Sequence, residues 1–201
     1  MLKSPLDVLS VFPERRTKAQ KLAFLDAVCG YVQDLGYACL IEKNMVRIGS
    51  ENADYVLCAR YDTTPFRNDT IAIITLLEIL RTLPLLHRQQ VCVILQEGSI
   101  HPPENCTSFL LENLHLGNEI RLHPAIGLVS DEKFALQLRR CTGWFGKKQI
   151  RLMKPSRHKE KQLRVCSVNP KKRFQMKTPA EPDMTTVNIL RACISTLISA
   201  Q

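Results

Sequence analysis

Apolar and polar positions along the chain alternate between two periods. From Thr17 to Leu35, Leu22, Leu25, Val28, Val32 and Leu35 recur at helical spacing. Thr17 is placed to cap that helix and Gly36 to stop it. Ala38–Ile41 and Met45–Ile48 read as two short strands joined by Glu42-Lys43-Asn44, a small hairpin. Tyr55–Ala59 and Val91–Leu95 are unbroken apolar runs of the kind buried on both faces of a sheet. Between them, Asp69–Leu83 is apolar on most faces and predicts a helix that ends before Pro84.

Further on, Asn105–Leu114 is expected as a helix, and Ala125–Val129, Phe134–Leu138 and Leu163–Val168 as strands. Met184–Ser199 closes the chain as a helix with Val187, Leu190, Ile194 and Leu197 on one face. Strands alternating with helices predict an α/β fold, a three-layer sandwich with a largely parallel central sheet flanked by helices. With 201 residues, no internal repeat and no long linker, one domain over 1–201 is expected.

Composition narrows the class. Hydrophobic residues make up 45% and charged residues 23%, a globular balance. No apolar run is long enough for a membrane-spanning helix, so no transmembrane segment is expected. The opening Met1-Leu2-Lys3-Ser4-Pro5-Leu6-Asp7 puts a proline and an acid where a secretory signal needs an apolar stretch. A cytoplasmic location follows as the expectation. The eight cysteines include no CxxC and sit mainly among apolar neighbours, which reads as reduced core thiols. Cys58 and Cys92, inside the two apolar runs, are then packing residues.

The net charge of +9 is unevenly spread. Arg139 to Lys177 holds 14 Lys and Arg against one acid, Glu160. That segment is either a solvated basic face or a surface for an anionic partner, nucleic acid included. It has few aromatics for base stacking and follows no nucleic-acid-binding motif.

Chemistry is expected at the carboxyl ends of the two buried strands, where open α/β sheets gather ligands. Arg60-Tyr61-Asp62-Thr63-Thr64 follows the first and Gln96-Glu97-Gly98 the second, with Asn68-Asp69-Thr70 opening the helix between them. A peptide or small molecule is the ligand such a crevice would take. His101 with Cys106 supplies only two metal-ligand types, without a third.

Taken in order, these stretches resemble the zinc aminopeptidases of metallopeptidase family 28, whose relatives include glutaminyl cyclases and non-catalytic ectodomains. The resemblance runs through Thr17-Lys-Ala-Gln-Lys21, Ala59-Arg-Tyr-Asp-Thr63, Asn68-Asp69 with Leu76-Leu77-Glu78, Gln96-Glu97-Gly98, and Lys177-Thr178-Pro179 before Asn188-Ile189. It implies two zinc ions held by two histidines and several carboxylates, with a glutamate as general base. The family's histidine ligands fall on Arg60 and Lys177, neither of which offers a lone pair at neutral pH. The base and ligand pair falls on Gln96-Glu97, or one residue on at Glu97-Gly98, leaving a single carboxylate in either register. The bridging carboxylate falls on Asp69 or Asn68, and a later aspartate near Gly127, with Asp131 displaced along the chain. Asp62, which in the family orients the first histidine, is kept.

The resemblance therefore implies a degenerate, non-catalytic relative, with zinc only if the family's site is partly retained at Asp69 and Glu97. The alternatives are a residual metal-dependent peptide hydrolase with a rebuilt site, or a binder of anionic partners through 139–177.

Overall fold

The computed structural model describes residues 4–64, 67–68, 70–98, 100, 105–113, 119–130, 132–140, 150–153 and 184–199. Helix α1 (Pro5–Val11) starts at a reciprocal cap in which Ser4 and Asp7 bond each other's backbone N–H. Helix α2 (Lys18–Asp34) starts the same way, between Thr17 and Gln20. Strands β1 (Cys39–Glu42) and β2 (Met45–Gly49) form the expected hairpin. Next come β3 (Tyr55–Arg60), a two-residue pair β4 (Thr63–Thr64) and β5 (Arg67–Asn68), and helix α3 (Thr70–Thr82). A short 3-10 helix (Leu85–Gln90) leads into β6 (Val91–Gln96). The chain continues through β7 (Phe109–Asn113), β8 (Glu119–Pro124), α4 (132–140), β9 (Ile150–Met153) and α5 (Met184–Ser199).

Seven strands form one sheet in the order β1-β2-β6-β3-β8-β7-β9. Among the described strands of this sheet, only β3 and β6 run parallel; every other neighbouring pair is antiparallel. The expectation of a largely parallel sheet is therefore wrong. Its source is physical: a βαβ crossover is written into the two apolar runs and the helix between them, but β2 and β8 join that pair antiparallel across long sequence separations, which a local pattern does not carry.

The layering also differs from a three-layer sandwich. Tyr55, Leu57 and Ala59 share a sheet face with Val91, Val93 and Leu95, with Val46 and Ile48, and with Ile120 and Leu122. On that face sits the main core, to which all five described α-helices contribute, from Val8 and Phe24 through Leu77 and Phe134 to Ile194. The opposite face carries a small cluster of Ala53, Val56, Cys58, Cys92 and Ile100, and no described α-helix contributes to it. Residue alternation on β3 thus divides a large helical layer from a thin second one.

Three local expectations are corrected. Asn105–Leu114 contains strand β7 rather than a helix, because Phe109, Leu110 and Leu111 are all buried, on both faces of the sheet. The strand expected at Ala125–Val129 is instead a turn, with Gly127 at φ +90°. The strand lies just upstream, where Ile120 and Leu122 alternate with Arg121 and His123. Phe134–Leu138 belongs to helix α4, and Phe134 and Leu138, one turn apart, both point into the core. The strand expected over Leu163–Val168 lies outside the described residues.

No helix among the described residues is long and apolar enough to cross a membrane. The cysteines also differ from expectation, since Cys29 and Cys39 are joined as a disulfide while Cys58, Cys92, Cys106 and Cys193 are free.

Candidate functional site

The carboxyl ends of β3 and β6 lie side by side, Arg60 being paired in register with Gln96. A parallel pair leaves both strands at the same edge, so the polar residues that follow converge there. The Tyr61 N–H donates to the Gln96 carbonyl at 3.1 Å, extending the pairing one step beyond the strand. The β1–β2 turn reaches the same edge. Asn44 accepts from the Glu97 N–H at 3.0 Å and from the Tyr61 hydroxyl at 3.2 Å through its carbonyl.

Arg60 and Asp62 form a two-pronged ion pair. Nε and Nη2 of Arg60 donate to the two carboxylate oxygens of Asp62 at 3.2 and 2.8 Å. The Gly98 N–H adds a third bond to Asp62 Oδ1 at 3.2 Å. Gly98 has φ +74°, the left-handed conformation that glycine adopts without strain and that turns its N–H toward the carboxylate. Burial alone would raise the Asp62 pKa, but the bonds and charge of Arg60, with the Gly98 N–H, hold it below the usual carboxylate value.

Glu97 is held separately. Lys21, one turn into α2, places Nζ on Glu97 Oε1. The Glu97 side chain is 37% exposed and that of Asp62 only 10%, so the Arg60–Asp62 pair lies deeper. Tyr61, between the two acids in sequence, has its hydroxyl pKa pushed up to about 12 by burial and by the negative charges of Glu97 and Asp62.

Arg15 supports this edge from below. It is fully buried, with Nε donating to the Tyr61 carbonyl and Nη1 to the Phe12 carbonyl at 2.8 Å. Its own N–H donates to Thr63 Oγ1 at 2.8 Å, and the Thr63 N–H returns a bond to the Arg15 carbonyl. The guanidinium lies 5.0 Å from the Phe24 ring centroid. The segment before α2 is thereby fixed against residues 61–63.

Of the residues singled out from the sequence, the structure brings Arg60, Asp62, Gln96 and Glu97 to one edge. The Gln96 amide donates to Met45 Sδ at 3.7 Å, a contact with the neighbouring strand. Asn68 is in register with Thr63 in the small β4–β5 pair. Gly127 lies in the turn beyond β8, which leaves the sheet from the end opposite these strand ends. Asp69, His101, Asp131 and Lys177 lie outside the described residues, as does most of the basic segment 139–177. Sequence reasoning missed Arg15 altogether, and named Lys21 only as part of the helix start.

Among the described residues at this edge, the donors do not fit a zinc ion. Arg60 is a permanent cation, both Asp62 oxygens are engaged by Arg60, and Glu97 is engaged by Lys21. Among the described residues, no three His, Cys, Asp or Glu side chains are grouped so as to hold a metal ion. Comparison with protein-family models, with curated proteins and with solved structures gives no match.

Proposed function

We propose that this chain is a non-catalytic relative of the zinc aminopeptidases, in which ion pairs replace the metal centre at the strand ends. The observation that carries this reading is the engagement of both Asp62 oxygens by Arg60, alongside Lys21 on Glu97. In a dinuclear site, metal charge offsets clustered carboxylates. Here Arg60 and Lys21 supply cationic charge to Asp62 and Glu97.

Hydrolysis by the family's chemistry needs a carboxylate free to take a proton from water and a cation to polarise the substrate carbonyl. Gln96 has no proton affinity suited to that role. Glu97 already shares its charge with Lys21. Such an edge retains polar backbone and side-chain groups for binding a peptide or small ligand, without a group among the described residues placed to cleave it.

The test is zinc content after incubation with excess zinc and desalting, paired with hydrolysis of aminoacyl chromogenic substrates. The reading expects no stoichiometric zinc and no hydrolysis above the protein-free rate. Retained zinc at one or two per chain, or hydrolysis abolished by Glu97→Gln, would replace it with a residual metal-dependent hydrolase.

A further inference from the structure

Strand β1 stands at one end of the sheet order and, among the described strands, pairs with β2 alone. The Gly49 N–H donates to the Ala38 carbonyl at 2.9 Å, which marks Ala38 and Gly49 as a hydrogen-bonded pair of the ladder. Bonded and unbonded pairs alternate along an antiparallel ladder. Leu40 with Arg47 and Glu42 with Met45 are therefore the next bonded pairs. The N–H and C=O groups of Cys39 and Ile41 then point away from β2, and among the described residues no hydrogen-bond partner meets them on that outer side.

Open strand edges are ordinarily guarded by proline, by lysine or by a bulge. Strand β1 reads Cys39-Leu-Ile-Glu42, without proline or lysine, and its register with β2 is regular. Apolar side chains flank the open edge on both sheet faces. Leu40 is 48% exposed on the second face, in line with Arg47 and Ile94. On the helical face Ile41 is half-buried against the main core. Leu22, 41% exposed, shares a flank of α2 with Cys29 about two turns on, and Cys29 is bonded to Cys39 of β1.

We propose that β1 is a docking edge for a second copy of this chain, whose own β1 pairs with it antiparallel about a two-fold axis at Leu40. In that register Cys39 faces the partner's Ile41 and Ile41 faces the partner's Cys39, each giving and receiving a hydrogen bond. Leu40 and the partner's Leu40 form the unbonded pair between them, where side chains come closest. The strand is self-complementary in this sense: its outward groups are symmetric about Leu40, so one two-fold operation satisfies them all. Charge favours the same register. Glu42 faces the partner's Ala38 and Lys43 the partner's Tyr37, so neither charge meets its own copy, and Glu42 already turns to Arg47 on β2. An axis at Ile41 would instead set Glu42 against the partner's Leu40. The product is one sheet continuous through both copies. It draws on no residue at the strand ends, so it stands apart from the non-catalytic reading.

The contact is small, so the dimer is expected to form between about 10 μM and 1 mM. The experiment is sedimentation equilibrium of the full chain across that range, with amide hydrogen exchange at its two ends. The expected result is a mass rising from one chain toward two, with the Cys39 and Ile41 amides exchanging about tenfold more slowly at the high end. The Leu40 and Glu42 amides, bonded to β2 in either state, change less. Leu40→Lys sets two ammonium groups face to face and should hold the chain as a monomer; the position is exposed, so the fold tolerates it. Ile41→Pro removes an N–H that β2 does not use and should act the same way. Leu86→Lys, at an 83% exposed leucine outside β1, is the control for unspecific apolar association and should leave the dimer unchanged. A chain that stays monomeric with both amides free overturns the proposal and leaves the edge to a foreign strand. Amides already protected in the monomer overturn it in favour of another segment of the chain. A dimer that survives Leu40→Lys and Ile41→Pro, or that leaves those amides unprotected, puts the contact elsewhere and overturns it too.

Discussion

Lys21 and Glu97 are 76 residues apart in sequence, and they meet as an ion pair beside the carboxyl ends of the parallel strands. The contact joins the first turn of α2 to the residue that ends the parallel pair. Arg60 on Asp62 makes a second, less exposed ion pair at the same edge.

The deeper pair governs stability more than the exposed one. Arg60→Met leaves Asp62, whose side chain is only 10% exposed, without its bidentate partner. The expected cost at pH 7 is about 2 kcal/mol, below the value for a fully buried pair because both side chains keep some solvent contact. Asp62 has a depressed pKa in the folded state, so its pairing stabilises above the ordinary carboxylate range and is lost as pH falls through the folded value. Urea unfolding of Arg60→Met and the parent chain should therefore differ at pH 7 and converge near pH 2. An equal difference at both pH values would show that Arg60 acts by packing alone.

Gly49 ends β2 at φ +96°, and a Cβ placed there would lie 2.5 Å from the Val91 carbonyl oxygen. Neither the backbone conformation nor the space admits a side chain. Gly49→Ala is expected to destabilise by about 2 kcal/mol or more. The midpoint of thermal or urea unfolding reads this directly. A near-neutral result would mean that β2 and β6 separate more readily than their register implies.

His123 is fully buried on the second sheet face, and neither ring nitrogen has a hydrogen-bond partner among the described residues. Burial, reinforced by the nearby Arg121 charge, lowers its pKa to about 4. Between that value and about 6.5 the unfolded chain binds a proton that the folded chain refuses. Folding stability therefore falls as pH drops from about 6.5 to about 4, by about 3 kcal/mol at most from this residue. His123→Leu should flatten that slope while costing little at pH 7, since it removes polar atoms that make no bond. Denaturant titrations at pH 7, 5.5 and 4.5 decide it.

The disulfide closes a short loop, with Cys29 and Cys39 separated by 10 positions. Loop-closure entropy for that length gives about 2–3 kcal/mol, so Cys39→Ser under oxidising conditions should lower stability by that amount. In reducing buffer the variant and the parent chain should unfold alike. A deficit that persists there would assign the loss to packing of Cys39 on β1.

Much of the central framework was legible in the sequence. The β1–β2 hairpin, β3, α3, β6 and α5 follow from apolar runs long enough for one period to dominate. The outer strands were harder, for stated reasons. In β8, Glu119, Arg121 and His123 alternate with Ile120 and Leu122, and so many polar residues hide a strand whose second face is also covered: Glu119 and His123 are both buried. Phe134 and Leu138 were read as a strand although their spacing is one helical turn. At the site, Arg60 and Asp62 could be paired because alternate residues on an extended chain share a side. Lys21 and Arg15 could not, because their partners are set by how α2 and the segment before it pack across the sheet.

The single parallel pair also has a consequence for the order of assembly. Strand β3, helix α3 and strand β6 lie within one stretch of chain from Tyr55 to Gln96 and carry much of the main core. Antiparallel neighbours add to this stretch on both sides, β2 with β1 against β6, and β8 with β7 and β9 against β3. Closing it requires one crossover, after which each added strand finds a template already in place. We predict a nucleus within Tyr55–Gln96, so that in pulse-labelled refolding the amides of β3 and β6 gain protection ahead of those of β1 and β9. Simultaneous protection of all seven strands would instead mark a transition state spread over the whole sheet.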